Sequence, residues 1–341
     1  MMKTFRILSI AALLIFEMEA VCANEQPNLK NQDDDKAQSI SFFVENDIYF
    51  SDRYYTNGLK LLYTESGDDF IASKLQFMLL RFCGIDGRQA SQTVCLGQNM
   101  YTPTSIHASN PPADDRPYAG WLYIGAGANL ASENRLDSLA VNIGVVGPIS
   151  LAEDTQKFYH SLIGADYPYG WGYQIKNEPA IDIAYLHSER IFRENLTSSF
   201  QTDALLNIGA DLGNFLTQAQ IGAFWRLGFN IPYNFTPTRI EGASAADAEW
   251  VSKNGRPQWH CFIYGGGCAR FVGYDITLDG NTFADSRSVT PKWLVGEAMA
   301  GISSRYKDFQ LDLNWTLRTA EFNGQKHPVH MFWTLRAKIF F

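Results

Sequence analysis

Met331-Phe332-Trp333-Thr334-Leu335-Arg336-Ala337-Lys338-Ile339-Phe340-Phe341 ends the 341-residue sequence. Counting back from Phe341, Ile339, Ala337, Leu335, Trp333 and Met331 fall on one side, while Phe340, Lys338, Arg336 and Thr334 fall mostly on the other. Such period-two alternation marks a β-strand with two unlike faces. A bare amphipathic strand at the end of a soluble chain invites edge-to-edge aggregation, whereas a closed barrel has no edge to expose. The segment therefore reads as the closing strand of a transmembrane β-barrel.

Working outward from that strand, the same alternation recurs near 39–49, 54–65, 92–101, 118–131, 136–146, 179–192, 198–211, 218–230, 259–275, 292–304 and 309–321. With 329–341 this makes twelve strands, the even number that single-chain bacterial barrels use. Aromatic residues at 14% beside only 19% charged residues suit a barrel with aromatic girdles, and the terminal Phe resembles the assembly signal of bacterial outer-membrane proteins. After the first residues no apolar run reaches the ~18 residues that a helical span requires. The expected fold is all-β: a twelve-stranded antiparallel transmembrane barrel over 39–341, with a short helix in an extracellular loop. Two connections are long, 66–91, which carries helix-spaced Phe70, Ile71, Leu75, Met78, Leu79 and Phe82, and the polar insert 231–258.

Strand parity assigns sides. With a periplasmic N-terminus, 46–56, 102–117, 147–178, 212–217, 276–291 and 322–328 lie at the outer face, and 66–91 and 231–258 in the periplasm. The loop 147–178 is expected to carry a helix near 152–163, stopped by Gly164.

The other end reads as an export signal. Lys3 and Arg6 precede the apolar run Ile7 to Phe16, and Val21-Cys22-Ala23 offers small residues for cleavage. Residues 1–23 are thus expected to be a signal peptide and 24–38 a polar, acidic, disordered leader. Cys83, Cys95, Cys261 and Cys268 remain, an even number compatible with disulfides, most simply Cys83–Cys95 and Cys261–Cys268. Three pairings are open, as are free buried thiols. A net charge of −8 with no basic stripe argues against nucleic acid as a partner.

Chemistry concentrates at the outer face. The tip between the first two strands holds Asn46-Asp47 and then Asp52-Arg53-Tyr54-Tyr55-Thr56-Asn57-Gly58. Oxygen ligands at such density suit a hard cation such as calcium, and the same residues also serve plain turn geometry. Asp114-Asp115-Arg116-Pro117 and the loop with His160 and Asp166 share that face. A neutral His can take a proton from water, and a carboxylate can orient it. A bound calcium can polarise an ester carbonyl. Each residue also has a structural reading: His160 as an exposed loop side chain, Asp115-Arg116 as a salt-bridged turn, Asp166-Tyr167-Pro168 as a bend. No Gly-x-Ser-x-Gly elbow occurs.

These residues carry a resemblance. Asn46-Asp47, Asp52 to Gly58, Gly97-Gln98-Asn99-Met100-Tyr101-Thr102-Pro103, Asp115-Arg116-Pro117-Tyr118-Ala119-Gly120, Gly144-Val145-Val146-Gly147-Pro148, His160, Ile163-Gly164-Ala165 and Trp171 to Glu178 are similar, in order, to the outer-membrane lipid A 3′-O-deacylase family. The resemblance spans the mature chain and is densest over 42–180. It implies a monomeric, calcium-dependent esterase, embedded in the bacterial outer membrane, that removes the 3′-linked acyloxyacyl chain from the lipid A of lipopolysaccharide. Carried over by position, Asn46 and Asp47 match the metal pair, Thr56 the nearby hydroxyl and His160 the base. Asp166 stands where some members have Glu, as metal ligand or His orienter. Arg116 follows the family's Asp-Arg pattern, for contact with a phosphate or the oxyanion. Between Thr104 and Pro112, where some members have a basic cluster, this chain has only His107, which leaves Arg53, Lys176, Arg287 and Lys326 as candidate phosphate partners. Tyr159, Tyr167, Tyr169 and Trp171 are expected to line an acyl-chain groove. Two rival readings are a non-enzymatic pore or structural barrel and an outer-membrane phospholipase. A Ser-nucleophile phospholipase needs a Ser–His pair, and Ser161 is the serine near His160.

Overall fold

The computed structural model describes residues 38–47, 52–67, 88–235, 239–240, 247–251 and 257–341. The expected signal peptide, all of the leader but Gln38, the helix-spaced residues 70–82 and Cys83 lie outside the described residues. Twelve antiparallel strands close into one barrel. They are β1 (Gln38–Asp47), β2 (Tyr54–Ser66), β3 (Gln89–Thr102), β4 (Ala119–Ala131), β5 (Arg135–Val146), β6 (Glu178–Asn195), β7 (Phe200–Gly213), β8 (Leu216–Phe229), β9 (Trp259–Asp275), β10 (Leu294–Tyr306), β11 (Phe309–Thr319) and β12 (Val329–Phe340). Each strand pairs with its sequence neighbours, and β1 closes on β12 in a register running from Ser39 opposite Phe340 to Asp47 opposite Phe332.

The alternation that defines β12 in the sequence is the alternation of its environment. Phe332, Thr334, Arg336 and Lys338 are buried in the lumen, while Met331 and Ile339 are exposed on the outer wall. Ile40, Phe42, Leu61, Leu96, Ile124 and Ile143 continue that exposed apolar wall around the barrel, as a surface against hydrocarbon requires.

Inside, polar side chains are packed against one another. Glu297 takes Arg318 at 2.7 Å and Arg270 at 3.1 Å, and also Arg239. Asp203 takes Arg226 at 2.6 Å and Arg193 at 3.3 Å, and also Arg190. Buried charges persist only when paired and hydrogen-bonded, so each carboxylate gathers several guanidinium groups. The insert 231–258 is not merely a polar connection. Described residues of it enter the lumen, where Ile240 joins the buried cluster of Phe43 and Tyr55 and donates its backbone N–H to Glu45 Oε1 at 2.9 Å. Asp247 meets Arg336 at 2.8 Å and Lys338 at 2.9 Å. Tyr233-Asn234 and Glu249-Trp250 form a short antiparallel ladder within the insert.

The Cys261–Cys268 disulfide does not exist, for both thiols are free. The two residues lie seven positions apart on the single strand β9, a separation of roughly 23 Å at ~3.3 Å per residue. A disulfide tolerates less than about 7 Å between Cα atoms. Cys95 is likewise a free, buried thiol.

Candidate active site at the long-loop rim

The loops expected at the outer face meet at one end of the barrel. β1 and β2 are joined by a tip in which Asp52 and Tyr54 have positive φ angles of 45° and 65°. These left-handed residues fold the chain sharply back. One residue later the β2–β3 register slips between Tyr55 and Asn57, leaving Thr56 as the unpaired residue of a bulge. A bulge re-aims the side chain it carries. Thr56 Oγ1 lies 2.6 Å from Thr102 Oγ1, and the Thr102 hydroxyl donates to the Asp52 carbonyl at 2.6 Å. The two threonines thereby fix the backbone of Asp52.

The helix α1 (Ala152–Ile163) ends where the sequence places its stop, with Gly164 left-handed at φ 70° and donating to the His160 carbonyl. Its buried residues Ala152, Gln156 and His160 recur every four positions, which puts them on one face. That face presses on β4 at Gly120, where an added Cβ would lie 2.2 Å from Ser150 Oγ and 2.3 Å from Ala152 Cβ. The absent side chain lets the helix sit close enough for His160 to reach the tip.

There His160 Nε2 lies 3.2 Å from Asp52 Oδ1, and Nδ1 contacts the backbone carbonyl of Asp166. Gln156 Nε2 donates to the same Asp52 oxygen at 3.2 Å, and the indole N–H of fully buried Trp171 donates to Gln156 Oε1 at 2.7 Å. Trp171, Gln156, Asp52 and His160 thus form one chain of hydrogen bonds. The hydrogen bond to Asp52 raises the His160 pKa above its ordinary value, burial acts against it, and the Asp166 carbonyl adds to the rise.

The residues singled out in the sequence separate into groups. Asp47 accepts from the Arg53 backbone N–H at 3.4 Å, and the Asn46 amide oxygen is buried without a hydrogen-bond partner. Asp166 meets His160 through its carbonyl, while its carboxylate is 78% exposed and 3.7 Å from His107 Nε2. Arg116 is buried elsewhere on the rim. Its guanidinium donates to Glu321 Oε2 and to Thr277 Oγ1, each at 2.7 Å, and lies 4.7 Å over the Tyr101 ring. Trp171 belongs to the core with Met100, Ile106, Tyr118 and Ala152, not to an exposed groove. Tyr159, Tyr167 and Tyr169 are exposed. Two participants had no assigned role in the sequence reading, Asp52 and Gln156. Gln156 was findable as the residue one helical turn before His160; Asp52 was not, because its partner is more than a hundred positions away.

The donor set at the end of β1 suits a hard cation: a buried amide oxygen accepting nothing beside a carboxylate. Among the described residues no three His, Cys, Asp or Glu side chains gather as a metal site, so amide and carbonyl oxygens and water would complete its shell.

A sequence profile described as "Outer membrane protein LpxR" matches residues 8–339. Among solved structures, LpxR from Salmonella typhimurium superposes with a TM-score of 0.72 at 20% identity, covering 89% of this chain and 100% of that one. The β domain of the Bordetella autotransporter BrkA gives a TM-score of 0.45 at 10% identity over 90% of this chain and 99% of that one, too distant to add to the argument. No curated protein sequence matches. The match over nearly the whole chain, together with the closed twelve-stranded barrel, shows that this chain belongs to the LpxR family of outer membrane proteins.

Proposed function

We propose that the chain is a calcium-dependent lipid A 3′-O-deacylase, acting as a single-chain barrel on lipopolysaccharide in the outer leaflet. The observation that carries this reading is His160, brought from a loop helix into hydrogen-bond range of Asp52 on the tip that follows Asn46 and Asp47. His160 takes the proton of the attacking water. The Asp166 carbonyl holds Nδ1, so Nε2 is the nitrogen that takes the proton, and Asp52 beside it stabilises the imidazolium that forms, while Gln156 and Trp171 hold Asp52 in place. Asn46 and Asp47 are the residues that would hold calcium, which when bound supplies a Lewis acid for the ester carbonyl and its oxyanion. Thr56 acts through Thr102 on the Asp52 backbone.

Water is the fitting nucleophile because the Ser161 hydroxyl is turned to the Phe158 carbonyl at 2.7 Å, which disfavours the phospholipase alternative. Exposed Phe158, Leu162, Tyr167 and Tyr169 on and after α1 offer apolar surface for the departing acyl chain. The test is incubation of purified barrel, calcium and lipopolysaccharide, followed by mass spectrometry of lipid A. Loss of the 3′-linked acyloxyacyl mass is the expected result; an unchanged mass with calcium present rejects the activity.

A further inference from the structure

Of the four cations that the sequence offers as anion partners, the fold sets two apart. Arg287 is engaged with loop 103–118, donating to the Pro111 carbonyl at 2.5 Å and to Asn110 Oδ1 at 2.6 Å and lying 4.4 Å over the Tyr173 ring. Lys176 is tied only by its backbone, whose N–H donates to Asn281 Oδ1 and whose carbonyl accepts from Asn281 Nδ2, so its ammonium remains a separate candidate outside this group. Arg53 and Lys326, however, both neighbour His327, Arg53 through its side chain and Lys326 as the preceding residue. Arg53 Nη1 lies 3.5 Å from His327 Nε2, and the Arg53 and Lys326 charges, after burial, push the His327 pKa down. The imidazole is held for this, since its backbone N–H donates to Tyr54 Oη at 3.1 Å and the Tyr54 ring stands edge-on to it at 6.4 Å.

Among the described residues neither Arg53 nor Lys326 has a carboxylate partner, and Arg53 Nε is buried without any hydrogen bond. Asp115, the acid whose charge reaches His327, is already taken by the Thr104 and Arg116 backbone N–H groups, each at 2.8 Å. Two cations and an imidazole thus stand together immediately beside the site, with Asp115 as the acid whose charge reaches the imidazole. Arg53 follows Asp52, the partner of His160, and its backbone N–H binds Asp47.

We propose that Arg53, Lys326 and His327 form an anion site that seats a phosphate monoester of the lipid substrate and so sets the ester against His160. This assignment rests on the lipid A reading above. A phosphate monoester carries close to two negative charges at neutral pH, matching the two cations, and a guanidinium beside an ammonium is the chemistry that proteins use to hold it. The site lies on the β1–β2 and β11–β12 loops, apart from loop 103–118, where this chain has only His107.

The test compares bisphosphorylated lipid A with the same lipid A stripped of phosphate, using the full-length barrel and the variants Arg53→Gln and Lys326→Gln. Binding is measured by titration calorimetry in detergent without calcium, so that it does not depend on turnover. Heat-modifiable migration confirms that each barrel is folded, and the exposed Lys326 can be changed with little risk to the fold. The expected result is a 10- to 100-fold rise in Kd for the phosphorylated lipid with either variant, the range of one charge-assisted hydrogen bond. Wild-type barrel should show a similar loss on the stripped lipid, and the variants no further loss on it. Equal Kd values across variants, or equal losses on both lipids, overturn the proposal. A second arm measures acyl release with calcium. Phosphate-dependent binding without release would leave the anion site standing and reject the deacylase reading, and release with phosphate-blind binding would do the reverse.

Discussion

His160 can act as a base only when neutral, and Asp52 stabilises the protonated ring. Nδ1 faces a carbonyl and Nε2 a carboxylate, an arrangement that favours the protonated ring. Because its pKa is raised, the neutral base is fully present only above that raised value and disappears as pH falls through it. The acidic limb of kcat/KM against pH is therefore expected above 6.5, the ordinary His value. Asp52→Asn removes the main cause of the rise, so its limb should move towards lower pH while the plateau drops; a limb that stays in place would separate Asp52 from the base. His160→Ala should reduce acyl release about 10²- to 10⁴-fold, the contribution of a general base, with heat-modifiable migration unchanged. Retained release would remove His160 from its role.

At the scale of elements, the site depends on how closely α1 sits against β4. Gly120→Val puts a branched side chain where Ser150 and Ala152 already stand. Overpacking of that kind costs about 1–3 kcal/mol, and here the helix can yield where the barrel wall cannot. The expected outcome is a folded barrel with acyl release reduced at least tenfold, read by mass spectrometry beside electrophoretic migration. Full activity would show that α1 does not need that contact. The helix was legible in advance because Gly164, which stops it, is a local signal, as β12 was legible from period two. What was not legible is tertiary. Nothing near Asp52 in sequence announces His160, and the positive φ angles at Asp52 and Tyr54 that aim it are not a pattern that composition reveals. Trp171 was misplaced for a similar reason, because an aromatic residue in a loop gives no sign of whether a helix will cover it.

For the whole molecule, the lumen decides between a pore and a closed barrel. The insert 231–258 had the composition of a polar connection, and only the distant partners of its described residues, Glu45 for Ile240 and Arg336 and Lys338 for Asp247, show these to be interior. With Glu297, Asp203 and Asp247 each surrounded by cations, paired side chains block much of the described lumen. Planar-bilayer recordings should accordingly show no steady porin-like conductance, and a stable open channel of that size would contradict the packing. Glu297→Gln leaves Arg239, Arg270 and Arg318 without their shared carboxylate charge. Removing one side of such a buried pair costs about 3–5 kcal/mol, so the folded band should convert to the unfolded one at a clearly lower temperature.

Asp247 also ties the first strands of the wall to the last. It touches Ser41 on the first strand and Thr64 on the second, and both of its oxygens lie within 3.0 Å of Lys338 on the last. Without this acid the lysine would stand as a bare charge in the barrel interior. One carboxylate in mid-chain thus serves as the latch joining the two ends of the wall.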